Sequence, residues 1–252
     1  MLLAVDVGNS NIVLGAYKED TLCFLSRIAT DLSMEADQYA VLLRGLLQLH
    51  GIAEHPILEV FIVSVVPQLT PVLVRAFSHF SSSVPRVLGT DDAGDVQVVI
   101  DRPEELGCDI LASAIAVRHT RQLPAVIVDM GTATKITALD AQGRLLGVAI
   151  SPGLYVSLNA LVQKASALRG VPLEAPAHAI GRNTPESMKS GVVLGTAAML
   201  DGMIDRFAAE MGGLASIVAT GGAAHVVVPH CAHKIEICET LLLDGLRIAA
   251  KD

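Results

Sequence analysis

Apolar residues in this chain come in short runs separated by polar turns, and these runs alternate with longer stretches of helical period. Residues 2–5, 12–17 and 21–28 read as strands of a meander, with Lys18-Glu19-Asp20 as one of its turns. Across residues 34–50 the apolar Tyr39, Leu42, Leu43, Leu46 and Leu47 recur near helical spacing, and Gly51 marks the stop. Residues 60–65 form a short apolar β run closed by Pro67, and residues 70–80 a helix with Pro71 in its first turn. Strands are predicted at 84–88 and 96–100, then a helix at 104–120 with Gly107-Cys108-Asp109 near its start. The plan then repeats. Residues 125–129, 135–140 and 144–150 make a second meander, and the loop Ser151-Pro152-Gly153 leads into a helix over 154–168. A Pro- and Ala-rich connector at 174–181 precedes a long helix from Thr184 to about residue 210, with Thr184 as cap and Pro185 as first helical residue. Gly212-Gly213 ends it; a strand at 216–219, a strand at 234–238 and a helix at 241–251 complete the chain.

The repetition extends to residue identity. Residues 5–22, VDVGNSNIVLGAYKEDTL, overlay residues 128–145, VDMGTATKITALDAQGRL, without a gap in the sequence. Asp6 falls on Asp129, Gly8 on Gly131, and Asn9-Ser10-Asn11 on Thr132-Ala133-Thr134. A period of about half the chain is too wide for a solenoid and implies a duplicated domain. The boundary is expected near residues 119–124, which gives domains at 1–120 and 121–252.

Composition narrows the partners. Apolar residues are 52% of the chain and charged ones 17%, so core material is ample. The net charge of −8 and the lack of any Lys/Arg cluster argue against nucleic acid, and the absence of Trp leaves little for base stacking. No apolar stretch approaches a membrane span, and MLLAVD meets an acid too early for a signal peptide. The four cysteines, Cys23, Cys108, Cys231 and Cys238, follow no framework and suit a reducing, cytoplasmic setting.

Three motifs carry chemistry. Asp6-Val7-Gly8-Asn9-Ser10 puts an acid at a strand end, where burial without a partner is costly, and a glycine after it lets backbone amides approach an anion. One such turn alone is as well explained by hairpin chemistry, but the second copy at Asp129 lowers that reading. Two facing turns of this kind suit a nucleotide and its metal. Gly107-Cys108-Asp109 offers either a helix cap or a general base for phosphoryl transfer. Thr220-Gly221-Gly222 after a strand is an ordinary turn or a flat ligand's resting place, the former better supported by so short a motif. His230, Cys231, His233 and Cys238 match no zinc spacing, and Lys135, just after the second turn, is within reach of a phosphate but is better read as a solvated strand lysine.

Taken together, these motifs resemble type III pantothenate kinases, members of the actin, sugar-kinase and heat-shock ATPase superfamily. The resemblance runs through DVGNSN at 6–11, GCD at 107–109, DMGTAT at 129–134, ISPGL at 150–154, GRNT at 181–184, SGVVLG at 190–195, TGG at 220–222 and LLLDGL at 241–246. It implies an α/β protein of two ribonuclease-H-like domains, duplicated mixed five-stranded sheets flanked by helices, with ATP in a cleft between them. It also implies a homodimer, with the pantothenate pocket near the dimer interface. Asp6, Val7, Gly8, Asn9, Ser10, Asn11, Ile12 and Val13 would form the first phosphate loop, with Asp6 positioning Mg2+. Asp129 would hold a monovalent cation, K+ or NH4+, and Thr132 would contact ATP. Asp109 would be the base that activates pantothenate, bound by Gly107, Cys108, Asp109, Ile110 and Thr184. The implied reaction turns ATP and pantothenate into ADP and 4′-phosphopantothenate, the first step of coenzyme A biosynthesis.

Two positions depart from the family pattern. Ile110 stands where an Arg usually follows the catalytic Asp, and Ile100 where a Tyr often precedes Asp101-Arg102-Pro103. The missing guanidinium weakens the case for the substrate more than for phosphoryl transfer, and Arg102 or Arg182 is a candidate replacement. A ligand-sensing or transcriptional accessory paralogue, or a kinase for another small primary alcohol, are the competing expectations.

Overall fold

The computed structural model describes residues 1–164 and 170–251. Its described part forms two compact units: residues 1–96, 101–116 and those from 240 onward in the first, and 97–100 with the described residues of 117–239 in the second.

The first unit is built on a five-stranded sheet of β1 (Leu2–Val7), β2 (Asn11–Lys18), β3 (Thr21–Ala29), β4 (Glu59–Ser64) and β5 (Arg86–Val87), in the order β3-β2-β1-β4-β5. β1, β2 and β3 pair antiparallel, and β4 and β5 join in parallel. The central strand is apolar on both faces, with Leu3, Ala4 and Val5 fully buried, because helices cover a sheet of this kind on both sides. Its helices are α1 (Ala36–Leu49), α2 (Thr70–Ser78) and α3 (Cys108–Thr120), whose last turn passes into the second unit. Tyr39, Leu43 and Leu47 of α1 and Leu73 and Phe77 of α2 pack in one core with Leu3, Val5, Ile12 and Leu14.

The second unit repeats the arrangement. β6 (Ala125–Met130), β7 (Ala133–Leu139), β8 (Leu145–Pro152), β9 (Ser216–Thr220) and β10 (Glu236–Ile237) lie in the order β10-β9-β6-β7-β8. The meander is again antiparallel and the last two strands parallel. The helices are α4 (Leu154–Lys164), α5 (Thr184–Lys189), α6 (Gly195–Met211) and the short α7 (Ala224–Val227). Val126, Val128 and Met130 meet Ala197, Leu200 and Ile204 of α6 in the core. The matching strand orders are those of two ribonuclease-H-like units. The last helix, α8 (Leu241–Ala249), returns to the first unit and packs on β1, β2 and β4. There Tyr17 donates its hydroxyl to Asp244 Oδ1 at 3.0 Å, and Arg247 pairs with Asp20.

Several elements differ from the sequence reading. Residues 96–100 form no strand: Val98 makes a single bridge to Leu145, because Asp101-Arg102-Pro103 turns the chain away. The strand expected at 84–88 is reduced to β5. The helix expected from 104 starts at Cys108, since Pro103–Glu105 closes a separate 3-10 turn and Leu106 is extended. Asn183, not Thr184, caps α5: its side chain accepts from the Glu186 amide at 2.9 Å, which leaves Thr184 and Pro185 as the first two helical residues. The long helix predicted from 184 is continuous only through a π-helical segment at Ser190–Leu194, and Gly212 ends it at φ 74°. Residues 165–168 of the helix expected over 154–168 lie outside the described residues.

Candidate active site

The first turn joins β1 to β2. Gly8 donates its amide to Asn11 O at 2.9 Å, and the loop is pinned from the end of β3, where Thr30 Oγ1 donates to Gly8 O at 2.6 Å and the Thr30 amide to Ser10 O at 3.1 Å. Asn9, Ser10 and Asn11 are exposed, while Asp6 is half-buried. Val7 and Ile12 are wholly buried and belong to the core, so their share in binding an anion is restricted to backbone amides. Val13 is half-buried. Sequence gave no local sign of Thr30, whose contact depends on the β2–β3 register.

The second turn joins β6 to β7, and Gly131 donates to Ala133 O at 3.1 Å. Two glycines press on it from outside. Gly153 donates to Thr132 O at 3.0 Å, and a Cβ there would lie 2.3 Å from Gly131 O. Gly221, at φ 90°, comes so close to Met130 that a Cβ would lie 2.6 Å from its carbonyl carbon. Thr220-Gly221-Gly222 is therefore a close-packed strand-to-loop turn. Thr132 is exposed at the tip. Thr134 Oγ1 and Ser151 Oγ, on facing positions of β7 and β8, are buried without a hydrogen-bond partner among the described residues. Both lie in motifs named above, and only their burial marks them out.

The two turns are not of equal length. Val7 pairs with Ile12 in the first hairpin, whereas Met130 pairs with Thr134 in the second, one residue sooner. Asp6 therefore faces Val13, but Asp129 faces Lys135. Lys135 Nζ lies 2.7 Å from Asp129 Oδ2, with side chains 15% and 18% exposed. Lys135 is thus no solvated lysine: the shorter turn moves it directly across from the acid.

Asp109 sits in the first turn of α3, in the first unit, and is 9% exposed. Its Oδ1 accepts from the Ile110 amide at 2.8 Å. A Cβ on Gly107 would fall 2.6 Å from that oxygen, so the glycine makes room for the carboxylate. Burial, then the negative charges of Asp109 and Asp92, push the Cys108 thiol up, so it stays protonated near neutrality. Ile110 is 8% exposed and packed, and brings no charge.

Thr184 is in the second unit, exposed at the start of α5. It lines a concavity of about 580 Å³ with Leu161, Arg182, Asn183 and Ser187. Arg102, in the first unit, is engaged by Glu105, with Nη1 2.7 Å from Oε1. The His–Cys stretch is a loop held to α6: the Ala232 and His233 amides donate to Asp201, and His233 Nε2 lies 2.9 Å from Asp205. Burial pushes the Cys231 thiol up to about 11.

No cluster of three or more His, Cys, Asp or Glu side chains able to hold a metal occurs among the described residues. Magnesium still fits at Asp6, because that ion takes one or two carboxylates and draws its other oxygens from phosphate and water. No helix among the described residues is long and apolar enough to cross a membrane.

Comparison with known proteins agrees with this geometry. Two solved structures share the fold: a "putative Baf family transcriptional activator" from Campylobacter jejuni, with TM-score 0.62 at 16% identity over 99% of this chain and 97% of its own, and a "putative 2-dehydro-3-deoxygalactonokinase" from Sinorhizobium meliloti, with TM-score 0.60 at 15% identity over 100% and 96%. Among sequences, the type III pantothenate kinase of Geotalea daltonii is 38% identical over 248 residues, 98% of this chain and 97% of that one. The same enzyme of Moorella thermoacetica is 38% identical over 250 residues, 98% of each. A family model described as type III pantothenate kinase matches residues 2–206. By its strand order, its motifs and these full-length matches, the chain belongs to the type III pantothenate kinase family.

Proposed function

We propose that this chain phosphorylates pantothenate with ATP to give 4′-phosphopantothenate, the first step of coenzyme A biosynthesis, with Asp109 as the general base. The observation that carries the reading is the carboxylate of Asp109. It is held by the Ile110 amide, and Gly107 leaves room for it at the start of α3. A carboxylate fixed in this way takes the hydroxyl proton as the phosphoryl group moves across. The amides of the Gly8 turn and of the Thr132 turn receive ATP phosphates, and Asp6 would hold magnesium. When bound, magnesium spreads the charge that develops on the phosphoryl oxygens. Thr184 and Arg182 bind pantothenate. Arg182 takes the carboxylate, since it lines the same concavity as Thr184. The enzyme works as a cytoplasmic homodimer.

A coupled ADP assay with pantothenate tests this. Asp109→Asn should lower kcat by at least about 100-fold while leaving the Kd for ATP near the wild-type value. In the same assay Arg182→Ala should raise KM for pantothenate and Arg102→Ala should not. ADP release that ignores pantothenate would remove the proposal.

A further inference from the structure

The family resemblance places a potassium or ammonium ion on Asp129, and the structure shows what that ion would meet. Lys135 faces Asp129 across the β6–β7 hairpin, and its Nζ is 2.7 Å from Oδ2, the distance of a charge-assisted hydrogen bond. Directly opposed residues of an antiparallel pair share one face of the sheet, so the contact follows from the register. On the other side of Asp129, at the matching position of β9, stands Thr220, which is 2% exposed. Both charged side chains are largely withdrawn from water. A free cation on the same carboxylate would sit beside the Lys135 ammonium in a poorly screened site, where like charges repel most. Asp129 and an inorganic monovalent cation therefore do not fit together in this chain.

We infer that Lys135 is a tethered monovalent cation. Its ε-ammonium is an ammonium ion with one hydrogen replaced by the side chain, and it gives Asp129 the single positive charge and the N–H donors that a free ion would bring. Lys135 is a positioning residue: it acts through Asp129 on the Gly131 turn, and it makes ATP binding independent of potassium or ammonium. The inference rests on the reading of that turn as a phosphate loop.

Calorimetric titration of the full chain with magnesium-ATP, in potassium, ammonium and choline chloride at equal ionic strength, tests it. Wild-type protein should give one Kd in all three salts. Lys135→Thr, with the charge gone and room opened, should bind ATP at least about tenfold more weakly in choline chloride and regain affinity with potassium or ammonium. Its thermal midpoint should rise with potassium, while that of the wild type stays put. Lys135→Arg, which keeps the charge, should remain indifferent to the salt. Wild-type affinity that tightens with potassium overturns the inference whether or not the variants fold, and so does a Lys135→Thr protein whose ATP affinity is normal in choline. Absence of ATP binding by the wild type in every salt overturns the phosphate-loop reading itself, a distinct result.

Discussion

Asp109 holds its position because Gly107 has no side chain. An alanine there would put a methyl group 2.6 Å from Oδ1, and the carboxylate would have to swing away from the Ile110 amide. Displacement of a catalytic group by about 1 Å costs on the order of 100-fold in rate. Gly107→Ala should therefore lower kcat by about that factor while the Kd for ATP, set by the turns at Gly8 and Gly131, stays unchanged; a steady-state assay paired with ATP titration checks both. A variant with normal kcat would show that the carboxylate's position is not critical. The glycine, cysteine and acid of this motif were legible in the sequence as a unit. Lys135 was not, because an ungapped overlay of the two repeats cannot show that one hairpin turns a residue sooner, and that residue decides whether the acid faces Val13 or Lys135. Asn183 and Thr184 are adjacent and both cap well, so Pro185 was read one position too early in the helix.

Elements with several apolar residues in period were readable in kind and place, since their burial depends on their own pattern. Helices α1 and α2 belong here, while the strands of both meanders were readable in place with ends a residue or two off, and α6 was read only as the later part of one longer helix. Short elements were not, because what decides a two-residue strand such as β5 or β10 is the neighbour it pairs with. The return of α8 to the first unit also left no local trace, although the helix itself did. The anchor is Gly245: a Cβ there would collide with the Ala112 carbonyl oxygen of α3, so the two helices touch backbone to backbone. Leu241, Leu243 and Leu246 beside it are buried and depend on that approach. Gly245→Ala should cost about 3 kcal/mol, the upper end of ordinary overpacking, read as a lower urea midpoint at unchanged slope. An unchanged midpoint would mean that α8 slides outward at little cost.

At the scale of the molecule, the second unit carries apolar surface that a protein of net charge −8 has no need to show to water. β8 is the edge strand of its sheet, and Ile150 on it is 68% exposed. Shortly after it in sequence come Tyr155 at 59%, Val156 at 42% and Leu161 at 43% on α4. A long edge strand and exposed apolar residues are each a liability unless something covers them. A second copy of the chain seated on α4 would cover its exposed apolar residues, and a stable interface needs about 800 Å² from each partner, so the contact would extend beyond these side chains. The full chain should therefore run in light scattering at about twice its 26.4 kDa. Joint Tyr155→Glu and Val156→Glu substitution on α4, placing two acids on each side of the contact, should leave helical content intact and give the monomer mass. A wild-type chain that is monomeric at micromolar concentration, or a double variant that stays dimeric, would place the interface elsewhere or remove it.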